Sequence, residues 1–237
     1  MGITIHYRLS ASQEWAEEKV REWLEIVGDY AKFLGCDQVS DLNHAGLWPQ
    51  FTEKRFEKST KLQIKTAFAE KGWLIFIEPG EGCQTLVLGL CKYPGSRDAW
   101  NRHRWVQVPS GLPSGWIFNW FCKTQFAGHH GAAHFLRCHK TVISLLDFCK
   151  KSGVEVDVKD ESGYWEQRNE EDLRKTLRRN EGLMAAFGGL MKDLADTPGG
   201  SQIESPIFEY ANFEHLEQEG WERFGNHFET LRKLAAP

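Results

Sequence analysis

The stretch Trp116-Ile-Phe-Asn-Trp-Phe-Cys-Lys-Thr-Gln-Phe126 is the part of the sequence on which the predicted fold depends. Towards its end, Lys123 and Gln125 alternate with Cys122, Thr124 and Phe126, and a two-residue period is typical of a strand with one buried face. A long helical pattern follows and ends at Gly153, and Val154-Glu-Val-Asp-Val158 then reads as a return strand. A strand, a helix and a second strand in this order predict a mixed α and β architecture.

The beginning of the chain has the same plan as this central stretch. A first strand is predicted from the alternation of Ile3, Ile5, Tyr7 and Leu9 with polar residues. A helical pattern then runs to Gly35, because glycine is the preferred residue just beyond a helix. Strand, long helix and glycine stop therefore occur twice, which suggests two related halves and an internal duplication.

Weaker patterns lie between and after these two units. Residues 36–61 predict an irregular connection, and short β-rich runs between residues 62 and 92, separated by glycine-containing turns, predict an antiparallel meander. Asn169-Glu-Glu-Asp172 begins another helix, and an aromatic-rich tail follows Asp196. The sequence thus predicts an α+β protein with two ferredoxin-like or split βαβ halves on an antiparallel sheet. The predicted boundaries are 1–110, 111–196 and a C-terminal helical extension, 197–237.

Composition narrows the classes of partner. The net charge is −4 and no long run of Lys and Arg occurs, which does not favour nucleic acid. The six cysteines lack CxxC spacing and no apolar run is long enough to cross a bilayer, so we expect reduced thiols, a cytoplasmic location and no membrane partner. Ten Trp and fifteen Phe indicate a densely packed core or a surface that meets a protein partner.

The densest group of potential metal ligands begins the central helix, in His129-His130-Gly-Ala-Ala-His134-Phe-Leu-Arg-Cys138-His139. On a helix, residues four apart share a side, so His130 and His134 are candidate ligands for one divalent transition metal. His6 of the first strand is the candidate to complete the site. The favoured alternative is structural, because Cys138 falls within an apolar stripe and zinc needs four ligands.

A second candidate site is the polar face of the predicted strands. Lys123 and Gln125 alternate with residues expected to face the helices, namely Trp120, Cys122, Thr124 and Phe126. The same face would carry His6, Arg8 and Asp157, which makes it a candidate ligand platform with both signs of charge. The alternative is a solvated sheet face with cross-strand ion pairs.

The turn Asp160-Glu-Ser-Gly-Tyr-Trp165 allows two interpretations. Carboxylates at positions 157, 161 and 166 are candidates for acid–base work. The favoured interpretation is a turn in which Tyr164 and Trp165 cover the edge of the sheet. The candidate ligand-binding residues are therefore His6, Arg8, Lys123, Gln125, Asp157, Tyr164 and Trp165.

Three segments together resemble an uncharacterised family of bacterial proteins of similar length: the opening Ile5-His-Tyr-Arg8, Lys123-Thr-Gln-Phe-Ala127, and Asp160-Glu-Ser-Gly-Tyr-Trp165. The resemblance covers residues 1–35 and 119–178. It implies no activity, ligand or catalytic residue, because none is known for that family.

Two functions are compatible with these patterns. The first is a non-catalytic cytosolic binding or regulatory protein, such as an immunity- or antitoxin-like factor, that contacts another protein and needs no cofactor. The alternative is a metal-dependent hydrolase with His130 and His134 as ligands and Asp157 or Glu161 as base. The sequence contains no Walker loop, GxGxxG, GxSxG or HExxH motif that would name a reaction.

Overall fold

The computed structural model describes residues 3–45, 50–51, 63–64, 67–111, 114–195 and 203–235. The strands in these ranges are β1 (Thr4–Ala11), β2 (Gln38–Val39), β3 (Asn43–His44), β4 (Gln50–Phe51), β5 (Gln63–Ile64), β6 (Ala67–Phe68), β7 (Lys71–Glu78), β8 (Leu86–Lys92), β9 (Ser96–Trp100), β10 (Trp105–Pro109), β11 (Trp116–Lys123) and β12 (Glu155–Asp160). The α-helices are α1 (Glu17–Phe33), α2 (Ala132–Lys151), α3 (Tyr164–Gln167), α4 (Glu170–Ala195) and α5 (Phe213–Ala235). Two 3-10 helices, Gln125–His130 and Pro206–Glu209, precede α2 and α5.

The main sheet has the strand order β12-β1-β11-β8-β7-β2, with β3 also paired to β7. Its pairings are antiparallel, and Tyr7 of β1 lies opposite Trp120 of β11 and Val158 of β12. Since β11 and β12 are both antiparallel to β1, they run parallel to each other with β1 between them. The structure confirms a mixed α+β architecture with an open, mostly antiparallel sheet.

Helices α1 and α2 pack together on one face of this sheet. The indole of Trp23 on α1 donates a hydrogen bond to Ser152 Oγ, just after α2, and Tyr30 stacks on Phe148 with ring centroids 4.3 Å apart. Gly28 lets α1 approach β7 closely, because a β-carbon there would lie 2.8 Å from Ile75 Cδ1. The core between helices and sheet buries the alternating apolar residues that the sequence predicted, namely Ile3 just before β1 and Ile5, Tyr7 and Leu9 within it.

The C-terminal extension forms its own layer on α4. Phe228 of α5 is buried beside Ala186 and Leu190 of α4, with Trp221 and Phe224 packed around it. The two helices come very close at Gly220, where a β-carbon would collide with the carbonyl oxygen of Gly182. The sequence did not show where the aromatic residues of the tail pack. In the structure they cover α4.

The strands that the sequence assigned to two halves lie in one sheet, because β1 pairs with both β11 and β12. The boundaries near residues 110 and 196 stay predictions. The expected irregular connection at 36–61 lies mostly outside the described residues.

Phe126, expected to face the helices, is 54% exposed because the strand ends at Lys123 and the chain turns into a 3-10 helix. No helix in the described parts of the chain combines the length and apolarity needed to cross a membrane.

Candidate functional site

The predicted polar sheet face is formed by β12, β1 and β11. His6 lies opposite Phe121 and Lys159, and Arg8 lies opposite Asn119 and Asp157. Lys123 and Asp157 are exposed on the same side of the sheet. His6 Nε2 also lies 3.6 Å from Glu161 Oε1. The register thus brings His6, Arg8, Lys123 and Asp157 to one face, on the side away from α1 and α2.

The other three candidate ligand-binding residues have different positions. Gln125 is half-buried, and its Oε1 accepts a hydrogen bond of 2.5 Å from the backbone N–H of Ile3. Tyr164 and Trp165 are half-buried in α3 at the end of β12. The guanidinium of Arg168 lies over the Trp165 ring, 4.7 Å from its centroid. Gln125 therefore does not join the polar sheet face, and the two aromatic residues cover the end of the neighbouring strand.

The two candidate metal ligands are close to each other but bind protein groups. The rings of His130 and His134 have centroids 5.2 Å apart. His134 Nε2 lies 2.8 Å from the carbonyl oxygen of Glu81 and 3.5 Å from Cys138 Sγ, and His130 Nδ1 lies 3.8 Å from Glu81 Oε2. His6 lies on the far face of the sheet and does not complete this group. Among the described residues, no three His, Cys, Asp or Glu side chains are arranged to hold a metal ion.

A buried polar network that the sequence did not predict lies between α2 and the ends of β11 and β12. His139 is fully buried, with Nδ1 2.9 Å from Thr124 Oγ1 and Nε2 3.2 Å from Asp160 Oδ2. Asp160 also accepts hydrogen bonds from the Ser162 hydroxyl and from the backbone N–H groups of Ser162 and Trp165. Every polar atom of the Asp160 carboxylate therefore has a partner.

The combination of Ser162, His139 and Asp160 does not have the geometry of a nucleophilic triad. In a triad the acid and the nucleophile contact different ring nitrogens of the histidine. Here Asp160 Oδ2 and Ser162 Oγ both approach Nε2, and the Ser162 hydroxyl donates to Asp160. Burial alone would raise the pKa of Asp160, but the hydrogen bond and charge of His139 and the bonds from Ser162 lower this pKa below its usual value. The network therefore has a structural role: it holds α2 to the ends of β11 and β12.

A pocket of about 290 Å³ lies where the 3-10 helix Gln125–His130, α4 and the segment before α5 meet. We call it the Glu181 pocket. The surface of the pocket is mostly apolar, and both apolar and polar residues line it: Gly82, Gln125, Phe126, His129, His130, Asn180, Glu181, Met184, Ser205, Pro206, Ile207 and Tyr210.

Glu181 is the chemically unusual residue of the Glu181 pocket. Burial raises the pKa of its carboxyl group to about 7. Burial and the nearby charge of Glu181 also raise the pKa of Tyr210 to about 12. Gly128 allows the carboxylate to lie against the backbone, because a β-carbon at this position would be 2.7 Å from Glu181 Oε1. Within the described ranges, no side chain forms a hydrogen bond or ion pair with this carboxylate.

The sequence carried one signal for Glu181. Leu173, Leu177 and Ala185 are buried on α4 at four-residue spacing, and Glu181 occupies the missing position of this series. An acidic residue on the apolar face of a helix is expected to meet a partner or to have an altered pKa. Of the predicted site residues, Gln125 and His130 line the Glu181 pocket, whereas His134 is not among the lining residues.

No protein-family model matches the chain, and no curated protein and no solved structure matches it either. The resemblance to a bacterial family stays a prediction.

Proposed function

We propose that this chain is a non-catalytic binding protein whose recognition element is the Glu181 pocket. One observation carries the proposal: a concave, largely apolar cavity contains a single carboxylate that no described protein group neutralises. Ligand sites are typically apolar cavities with a few polar groups, and residues with shifted pKa values concentrate at such sites. A small organic ligand fits the volume.

The metal-dependent hydrolase draws no support from the described residues. Its two candidate ligands are engaged with Glu81 and Cys138, and a third ligand does not lie beside them. His129 lines the Glu181 pocket, but its ring packs against Tyr210 with centroids 5.0 Å apart. A binding role therefore accounts for more of the geometry than a hydrolytic one.

Fragment binding monitored by two-dimensional NMR tests the proposal. Small organic fragments should shift the backbone signals of Phe126, His129 and Glu181. Met184→Trp, which fills the pocket, should weaken binding at least about tenfold, or about 1.4 kcal/mol. Met191→Trp is the matched control, because Met191 is also an exposed methionine of α4 but does not line the pocket. Equal affinity in both variants, or no shift at the pocket, would refute the proposal.

A protein partner is the second candidate, and the surface of α4 favours it. Met184, Phe187 and Met191 are exposed at helical spacing, so they form one apolar stripe. Such a stripe would suit a regulatory factor that contacts another protein. A photo-crosslinking residue at Phe187 should capture one partner in cells of the native host, whereas the same residue at His227 of α5 should not. Equal capture at both positions would count against the stripe.

An internal duplication of the chain and a cytoplasmic location of the protein are also proposed. The first unit, β1 with α1, and the second, β11 with α2, contribute neighbouring antiparallel strands and helices that pack together, as expected of two copies of one βα unit.

The six cysteines form no disulfide, although Cys83 Sγ and Cys122 Sγ are 3.9 Å apart, and this supports a reducing compartment such as the cytoplasm.

A further inference from the structure

The Glu181 carboxylate limits which ligands the pocket can accept. Transfer of a charged group into an apolar site is unfavourable unless a charged or hydrogen-bonded partner accompanies it. A purely apolar ligand would remove the remaining water from Glu181 and leave its charge without compensation. A ligand that carries a positive charge would instead form the missing ion pair.

The rings of the Glu181 pocket favour the same ligand chemistry. Phe126 lines the same pocket as the carboxylate and is 54% exposed, and the ring of His129 packs against that of Tyr210. Aromatic faces attract ammonium groups, and the attraction grows when the cation is partly removed from water. A carboxylate together with aromatic side chains is therefore suited to an organic cation.

The other ionisable groups of the pocket do not compete strongly for Glu181. They are His129 and His130 from the 3-10 helix and Tyr210 from the segment before α5. His130 is directed to Glu81, 3.8 Å away. No lysine or arginine occurs among the described residues that line the pocket. An anionic ligand would meet the carboxylate without a fixed cation to balance it.

We propose that the Glu181 pocket binds an organic ammonium ion with an apolar substituent, and that Glu181 is its ion-pair partner. This inference rests on the proposed small-molecule binding function and specifies the class of ligand. The ammonium group lies at the carboxylate, and the apolar substituent contacts Phe126 and Met184.

Three probes with the same six-carbon chain separate the contributions: hexylammonium, hexan-1-ol and hexanoate. We expect titration calorimetry at pH 8 to give hexylammonium about tenfold higher affinity than hexan-1-ol, with hexanoate the weakest ligand. Glu181→Gln should remove the preference for the ammonium ion and leave hexan-1-ol binding intact. Glu217→Gln is the matched control, because Glu217 is a partly buried carboxylate of α5 outside the pocket.

The outcomes distinguish this inference from the proposed function. If hexan-1-ol and hexylammonium bind in the pocket with equal affinity, or if hexanoate binds most tightly, the ligand class is wrong but the binding function stands. If hexylammonium retains its advantage in Glu181→Gln, the carboxylate is not its partner and the inference also fails. If none of the probes shifts the pocket signals, both the inference and the small-molecule function are refuted.

Discussion

The His139–Asp160 network and the Glu181 pocket each remove a carboxylate from bulk water, with opposite consequences. Asp160 accepts hydrogen bonds from a histidine, a hydroxyl and two backbone N–H groups, and its pKa is lowered. Glu181 has no such partner among the described residues, and its pKa is raised to about 7. Burial alone therefore does not indicate function. A half-buried carboxylate with a raised pKa and no described protein partner indicates it better, because residues with shifted pKa values concentrate at functional sites.

The two regions also differ in how the chain builds them. The network joins the end of β11, the middle of α2 and the end of β12, which are held in register by β1. The Glu181 pocket depends on the contact between the α/β layer and the C-terminal extension, where Gly128 and Ile207 approach α4. We therefore expect the network to control global stability and the pocket to control binding.

The largest expected effect is the loss of the network. Asp160→Ala removes the carboxylate that binds the His139 ring, the Ser162 hydroxyl and two backbone N–H groups, and each buried donor left without a partner costs about 1–3 kcal/mol. Chemical denaturation should show this as a lower midpoint. Asp157→Ala is the control on the same strand, because this side chain is exposed and its loss should change the free energy of unfolding by less than about 0.5 kcal/mol. Equal changes in the free energy of unfolding in both variants would show that the network does not stabilise the fold.

A smaller effect is expected where the extension meets α4. Gly220→Ala places a methyl group against the carbonyl of Gly182 and 2.6 Å from Ala186 Cβ, and such overpacking costs about 1–3 kcal/mol. Gly225→Ala has only Trp221 Cε3 nearby, at 3.5 Å. The control should therefore gain up to about 1 kcal/mol from helix propensity.

Ligand binding adds a second measurement to this pair of variants. If α4 and the extension form the pocket wall, Gly220→Ala should also weaken fragment binding, whereas Gly225→Ala should not. Unchanged thermal stability and unchanged binding in Gly220→Ala would contradict the close approach of the two helices.

The sequence predicted the local elements and the exposed face better than the buried sites. Alternation along β1, β11 and β12 was enough to place His6, Arg8, Lys123 and Asp157 on one side, because side chains on a strand alternate strictly. His130 and His134 do lie near each other, but they do not share one helix, because His130 ends the 3-10 helix and His134 belongs to α2. The sequence did not show that the carbonyl of Glu81, in the turn between β7 and β8, binds His134. Such a contact depends on tertiary structure.

The same limit explains the residues that sequence analysis missed. His139 lies within α2 and Asp160 ends β12. Only the position of β12 in the sheet brings the two side chains together. Phe126 was expected to continue the alternation of β11, but the strand ends at Lys123 and the next residues form a 3-10 helix. The spacing of Leu173, Leu177 and Ala185 puts Glu181 on the apolar face of α4. The sequence does not show what covers this side chain, because the covering groups come from residues 125–130 and 205–210.

The pH dependence of stability sharpens the comparison, since the two carboxylates should act in different pH ranges. Asp160 has a lowered pKa in the folded protein, so its contribution is present above the unfolded pKa and is lost as the pH falls through the folded value. Glu181 has a raised pKa of about 7 against 4.5 for the free side chain. The contribution of Glu181 to the free energy of unfolding is therefore present below the pKa of the unfolded state. It is lost as the pH rises through about 7.

Glu181→Gln should accordingly stabilise the protein at pH 8 but not at pH 4.5. We expect a gain of about 1–2 kcal/mol at pH 8, which allows for the partial exposure of the side chain to solvent. Urea denaturation at both pH values measures the difference, with the exposed Glu229→Gln of α5 as control. A destabilised Glu181→Gln at pH 8 would mean that the carboxylate has a partner in the folded protein. In that case Glu181 would resemble Asp160, and its place in the pocket would be structural.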